Sequence, residues 1–195
     1  MIADLIESEC MSRKKSVNLK AKSANELKMA EDGLYYVIWM LNETANIIDN
    51  SVSVKNNAYI ESFAIHARTL IVFLYSKPNG RDTILASSFV DGWNKSLEKT
   101  DFLYITKVKA SKMAAHLTEG GLMWPDKEWK TIEIRNRINQ EISEFLSATP
   151  DNKLSRETKT KIKEIVGKTA QGPSGPDHDT KSINNAKGAT GSTGL

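Results

Sequence analysis

The chain lacks most features that mark secreted, membrane-spanning and metal-binding proteins. It has a single cysteine, Cys10, so it cannot form an internal disulfide. No apolar run approaches the ~20 residues that cross a bilayer. The N-terminus has no long apolar segment typical of a secretory signal. Three scattered histidines do not have the spacing of a zinc site. We therefore expect a cytoplasmic protein without membrane segment, metal or cofactor.

Signatures of familiar enzyme sites are also missing. The sequence has no glycine-rich phosphate loop, no paired carboxylates at a recognisable spacing and no Ser-His-Asp order. It has no internal repeat, and no polar-apolar alternation is long enough to predict a sheet. A hydrophobic fraction of 39% and a mean hydropathy of -0.42 are typical of a soluble protein.

What the chain does have is helical periodicity, clearest over residues 57–76. Apolar residues recur there at steps of three and four: Ile60, Phe63, Ala64, Ala67, Leu70, Ile71 and Leu74. A second stripe lies on another side of the same helix: Ile65, Val72 and Phe73. Since a helix that is apolar on two sides packs on two sides, we predict the central helix of a bundle, with Phe63 and Leu70 fully buried.

Similar patterns predict the other elements. Ser23 and Glu26 form a capping-box pattern that starts a long helix. Further helices are predicted over 83–89, 101–118 and 125–148. The fold prediction is an all-α, single-domain bundle of four to five main helices spanning 23–150. Around it we expect a short helix and linker over 1–22, a basic amphipathic segment over 151–170, and a disordered tail over 171–195. The amphipathic segment offers few apolar residues, so weak docking and mobility both stay open.

Two stretches carry a family resemblance. The run ESFAIHARTLIVFLYS, followed after about thirty residues by KASKMAAHLT, resembles small all-helical proteins of the HEPN superfamily, in particular the families associated with bacterial abortive infection. The resemblance covers roughly residues 24–150. It implies a helical fold and, for the catalytic members, RNA cleavage by an R-x(4–6)-H arrangement assembled across a dimer interface. Here no arginine precedes His116 at that spacing. The nearest match is Lys109-x6-His116, with Ser111 at the polar position.

Helical spacing places Lys109, Lys112 and His116 on one face. An imidazole can act as general acid or base near neutral pH, and a neighbouring ammonium can hold a phosphate oxygen. These groups suit metal-independent RNA cleavage, in which a 2′-hydroxyl attacks the adjacent phosphodiester. We therefore identify His116 and Lys109 as candidate catalytic residues and Lys112 as a candidate nucleic-acid contact. The alternative is a packed histidine between alanines.

Two other polar regions are candidates for phosphate binding. Arg135 and Asn139 share a helix face and could form a phosphate clamp, although an ordinary charged helix surface is the alternative. Residues 151–168 contain six Lys and Arg against three Asp and Glu. This excess indicates either a solvated helix face or a phosphate-binding patch.

Two functional classes remain open from the sequence. One is a HEPN-like nucleic-acid-directed protein of bacterial defence type, acting on RNA as a metal-independent ribonuclease through His116 in a groove near a twofold axis. The other is a non-catalytic helical interaction module. Both lead us to expect a homodimer, because two-sided apolar helices and exposed aromatic residues need more cover than a small bundle provides.

Overall fold

The computed structural model describes residues 22–49, 51–78, 83–114 and 128–168. Within these ranges the chain is helical and contains no strand, which confirms the predicted all-α bundle. The helices are α1 (Ala24–Ile47), α2 (Val54–Tyr75), α3 (Ala86–Phe89), α4 (Phe102–Met113), α5 (Thr131–Ala148) and α6 (Arg156–Lys168). Three of the predictions concern residues outside these ranges. They are the helix before residue 22, the disorder over 171–195 and the candidate catalytic residue His116.

Local signals set several helix ends. The predicted capping box is present, since Ser23 Oγ accepts from the Glu26 N–H at 3.3 Å and the Glu26 carboxylate accepts from the Ser23 N–H at 2.7 Å. α2 begins earlier than predicted, because Ser53 Oγ caps it by accepting from the Asn56 N–H at 3.1 Å. The prediction that α5 starts near Pro125 is wrong. The backbone at Lys130 is not helical, and the helix begins at Thr131.

α2 is the central helix and packs against α1, α3, α4 and α5. Phe63 and Leu70 are fully buried, as predicted. The second apolar stripe is only partly covered: Phe73 is buried and Val72 half-buried, but Ile65 is exposed. The expectation of two fully packed sides is therefore correct only toward the C-terminal end of α2, where α3 and the following connection lie.

Aromatic side chains join the helices at that end. The rings of Phe73, Phe89 and Phe145 meet edge-on with centroids 5.1–6.1 Å apart. Trp93 adds an edge-on contact to Phe145 at 5.8 Å, and its indole N–H donates to the Leu74 carbonyl at 2.7 Å. Trp93 therefore anchors the connection between α3 and α4.

The basic segment after residue 150 packs onto the bundle. Leu154 and Ile162 are fully buried, and α6 lies against α1 and α5. At the start of α6, the Glu31 carboxylate accepts hydrogen bonds from the backbone and hydroxyl of Ser155 and from the hydroxyl of Thr158. The sequence left both weak docking and mobility open for this segment, and in the structure it is docked on the bundle.

Candidate functional site

Lys109 lies on α4 with only 7% of its surface exposed. Its ammonium donates to the Glu128 carbonyl and lies 4.9 Å from the centre of the Trp129 ring. A carbonyl oxygen and an aromatic face both compensate a buried cation for its lost hydration. In the described residues Lys109 therefore joins α4 to the segment before α5. Its role as a catalytic residue stays a prediction.

Arg135 and Asn139 do share one face of α5, but that face lies against α1. Arg135 is 3% exposed, and its guanidinium donates to the side-chain oxygen of Asn46 at 2.7 Å and to that of Asn136 at 3.2 Å. Burial lowers the pKa of this guanidinium. Asn139 and Asn42 exchange hydrogen bonds of 2.8 and 3.2 Å. The arrangement is a polar ladder between two helices, and a nucleic-acid contact by either residue stays a prediction.

The two lysines that helical spacing placed on one face with His116 have different surroundings. Lys109 is buried, whereas Lys112 is exposed at the end of the same helix. His116 lies outside the described residues. A site formed by Lys109, Lys112 and His116 therefore stays a prediction.

Arg68 makes a polar contact between two helices, and the sequence analysis did not propose this residue for a functional site. Its Nε donates to Ser111 Oγ at 2.8 Å, across the interface between α2 and α4. The Ser111 hydroxyl in turn donates to the Lys107 carbonyl at 2.9 Å. In the described residues the two terminal nitrogens of Arg68 have neither a hydrogen bond nor an ion pair. The available signal was that Arg68 interrupts an otherwise apolar stretch of α2.

The outward face of α1 carries four large apolar side chains, each between 39% and 74% exposed: Met29, Tyr36, Trp39 and Ile47. The rings of Tyr36 and Trp39 lie 6.2 Å apart, and Tyr36 also meets the edge of His66 at 5.7 Å. Burial lowers the pKa of His66 and thereby favours its neutral imidazole. This α1 face, defined by the four residues above, is the main concentration of exposed large apolar groups among the described helices.

Local ion pairs offset part of the positive charge of residues 151–168. Asp151 binds Lys159 at 2.8 Å and Arg156 at 2.5 Å, and these two bases lower its pKa to about 2. Lys161 pairs with Glu157 at 2.7 Å. Three of the six bases therefore meet acids of the same segment, which favours a solvated helix face over a phosphate-binding patch.

The described part of the chain offers neither a metal site nor a membrane span. Among the residues described, no cluster of three or more His, Cys, Asp or Glu could hold a metal ion. None of the described helices combines the length and the apolar character needed to cross a bilayer. Comparison of the chain with protein-family models, with curated proteins and with solved structures gives no match.

Proposed function

We propose that this protein is a non-catalytic helical interaction module that assembles with a second copy of itself through the α1 face. One observation carries the proposal: four large apolar side chains are exposed on a single long helix. Scattered exposed apolar residues are normal, but aromatic residues grouped on one face are enriched where proteins associate. A twofold dimer would cover this face with the same face of the other copy.

The charges along α1 suit an antiparallel pairing. With a twofold axis near Tyr36, Lys28 lies roughly two helical turns to one side and Glu43 roughly two turns to the other. Lys28 of each copy, whose ammonium also donates to Glu31 of its own chain at 3.1 Å, would therefore lie near Glu43 of the other copy. Both residues are exposed on the same side of α1 as Tyr36. Glu43 has no hydrogen bond or ion pair in the described residues. The proposed contact therefore has complementary charges at its two ends, Lys28 and Glu43, and apolar side chains in its middle.

The placement of the predicted RNA contacts also supports an interaction module. Lys109, Arg135 and Asn139 are buried, and their side chains bind other parts of the bundle. Displacing these contacts to hold a phosphate would leave buried partners unsatisfied. A cytoplasmic location belongs to the same proposal, because the lone Cys10 leaves the fold independent of disulfides.

Sedimentation equilibrium tests the proposed assembly. The wild-type chain should sediment as a dimer, and the double variant Tyr36→Ser/Trp39→Ser should sediment as a monomer at the same concentration. Ile132→Ser is the matched control, since Ile132 is similarly exposed but lies on α5. The control should stay dimeric, and circular dichroism should show that all three chains are equally folded. A monomeric wild-type chain, or a double variant as dimeric as wild type, would contradict the proposal.

A charge exchange tests the direction of the pairing. Exposed ion pairs contribute about 0.2–1 kcal/mol each, and an antiparallel dimer contains the Lys28–Glu43 pair twice. Glu43→Lys should therefore weaken the dimer by about twofold to thirtyfold. Adding Lys28→Glu should recover part of this loss of dimer affinity, whereas a parallel pairing gives no recovery. Lys28→Glu alone is the control, because it also removes the hydrogen bond from Lys28 to Glu31, and urea denaturation measures what that removal costs the fold.

A second candidate is a HEPN-like, RNA-directed protein of bacterial defence type, and one contact favours it. The resemblance expects an arginine, a polar residue and a histidine, but the chain has no arginine at the required spacing before His116. The hydrogen bond from Arg68 to Ser111 brings an arginine from α2 to the polar position of that pattern. Arginine presents a planar fork of donors that suits a phosphate. In this scheme His116 takes the proton of a 2′-hydroxyl, which attacks the adjacent phosphorus and releases the 5′-oxygen.

A ribonuclease assay in the presence of a chelator tests the second candidate. The wild-type chain should cleave RNA to products with 2′,3′-cyclic phosphate ends. His116→Ala should abolish cleavage, and Arg68→Lys should reduce it. Lys130→Ala serves as a control that removes an exposed cation from another helix end. Absence of cleavage by a folded wild-type chain, or equal cleavage by the His116 variant, would leave the interaction module as the function.

A further inference from the structure

A cleft of about 480 Å³ runs between α1 and α2 and ends at α3. Its walls are mainly apolar, formed by residues such as Leu34, Val37, Val72, Ile84 and Phe89. The volume is in the range of small-molecule sites, which are typically apolar with a few polar groups that orient the ligand. This cleft lies beside the α1 face and is not part of the proposed dimer contact.

Gly33 keeps this cleft open. It lies in the interior of α1, where glycine is among the least favourable residues. A Cβ at this position would meet no atom within 4 Å, so no neighbouring group requires the side chain to be absent. Gly33 also lines the cleft, and any larger side chain there would occupy its space. The glycine therefore provides room for a ligand at the expense of helix stability.

Arg68 is one of the residues that line this cleft, and its Nε donates to Ser111 Oγ at 2.8 Å. This hydrogen bond fixes the guanidinium, while its two terminal nitrogens have no partner in the described residues. Thr69, also in the lining, donates its hydroxyl to the Ile65 carbonyl. The oriented cation beside apolar walls therefore complements a ligand with an apolar body and one anionic end.

We propose that the cleft between α1 and α2 binds a small amphipathic carboxylate. The alkyl or aryl part lies against Gly33, Val37 and Val72, and the carboxylate accepts hydrogen bonds from the terminal nitrogens of Arg68. The inference goes beyond the proposed dimer, since it concerns a different surface. It shares Arg68 with the ribonuclease candidate, but ligand binding and RNA cleavage are separate measurements.

Isothermal titration of the full chain with octanoate, and with 1-octanol as its neutral analogue, tests the proposal. Hydrogen bonds to charged groups add about 1.5–3 kcal/mol, so octanoate should bind at least tenfold more tightly than the alcohol. Arg68→Gln should remove that preference and retain weak binding of both. Gly33→Leu should abolish both, whereas the matched control Gly33→Ala, which adds one methyl group, should retain measurable binding.

Two results would overturn the proposal. Equal affinity of the wild-type chain for octanoate and octanol would exclude Arg68 as the anchor of the anionic end. Unchanged octanoate binding by Gly33→Leu would place the ligand outside this cleft. Because a Cβ at position 33 meets no atom within 4 Å, Gly33→Ala should fold, and circular dichroism checks the folding of both glycine variants. A wild-type chain that binds neither probe would also refute the site.

Discussion

Replacing Glu31 tests how α6 is held on the bundle. Glu31 is almost fully buried on α1, and its carboxylate accepts from the Ser155 N–H at 3.1 Å, the Ser155 hydroxyl at 2.6 Å and the Thr158 hydroxyl at 2.8 Å. The Lys28 ammonium also donates to it at 3.1 Å. Glu31→Ala removes all four contacts, whereas Glu31→Gln removes the charge and retains most of the volume.

The expected loss of unfolding free energy follows from the number of these hydrogen bonds and from how far each is shielded from water. A hydrogen bond to a charged group contributes about 1.5–3 kcal/mol. Ser155 and Thr158 are half-exposed, so water recovers part of the loss when the carboxylate is absent. We therefore expect Glu31→Ala to lower the free energy of unfolding by about 2–4 kcal/mol in total, and Glu31→Gln by about 1–2 kcal/mol.

The same carboxylate makes the docking of α6 depend on pH. Burial raises the pKa of Glu31, but hydrogen bonds from Ser155, Thr158 and Lys28 outweigh burial and leave the pKa below its ordinary value of 4.5. A carboxyl group with a lowered pKa in the folded state contributes its full stabilisation above its unfolded pKa and loses it as the pH falls through the folded value. The contribution of Glu31 should therefore be constant from neutral pH to about pH 5 and decline in more acidic solution.

Urea denaturation and amide hydrogen exchange measure both effects. In Glu31→Ala the amides of α6 should exchange faster than they do in the wild-type chain, because the start of α6 loses its anchor. The amides of α2 should be much less affected. Glu133→Gln is the control, since Glu133 is exposed and its contact with Lys130 is 4.0 Å long. It should change stability by less than about 0.5 kcal/mol. If Glu31→Ala is as stable as this control, Glu31 does not hold α6 and the reasoning fails.

Three further predictions concern the core, the polar ladder and the tail. Phe63→Ala and Leu70→Ala should each lower the free energy of unfolding by about 2–5 kcal/mol, measured by urea denaturation; wild-type stability of either variant would show that the core is assigned incorrectly. Asn42→Ala should cost about 1–3 kcal/mol, because it removes a partner of the buried Asn139 amide; additive losses in the double variant with Asn139→Ala would indicate that the two amides act independently. Truncation after residue 170 should leave the thermal midpoint almost unchanged, and a large fall would show that the tail contributes to the fold.

The sequence predicts those parts of the fold that depend on neighbours along the chain. The capping box of Ser23 and Glu26 involves residues three positions apart, so its pattern is visible in the sequence and is present in the structure. The burial of Phe63 and Leu70 follows from the apolar spacing of one helix. The start of α5 was misplaced, because residues 128–130 are not helical and α5 begins only at Thr131. A proline is compatible with the first turn of a helix, but it does not fix where a helix starts.

Contacts between distant residues could not be predicted in this way. Lysine is seldom buried, so helical spacing alone gave Lys109 an exposed position beside Lys112. Its burial depends on the Glu128 carbonyl and the Trp129 ring, which no local pattern associates with α4. The bonds of Arg68 to Ser111 and of Glu31 to Ser155 likewise join residues far apart in the sequence. Periodicity identifies which residues share a helix face, but the packing partner of that face is a tertiary property.

The central claim is that two copies pair antiparallel through the α1 face. Cysteine cross-linking tests this claim most directly. In a Cys10→Ser background, Tyr36→Cys places one thiol close to the proposed twofold axis, where two copies can form a disulfide only if their Cα atoms lie within about 7 Å. Ile132→Cys is the control on α5, with similar exposure. Under mild oxidation the position-36 variant should form covalent dimers rapidly, and the control should not. Equal cross-linking of the two variants, or none at position 36, would contradict the proposed assembly.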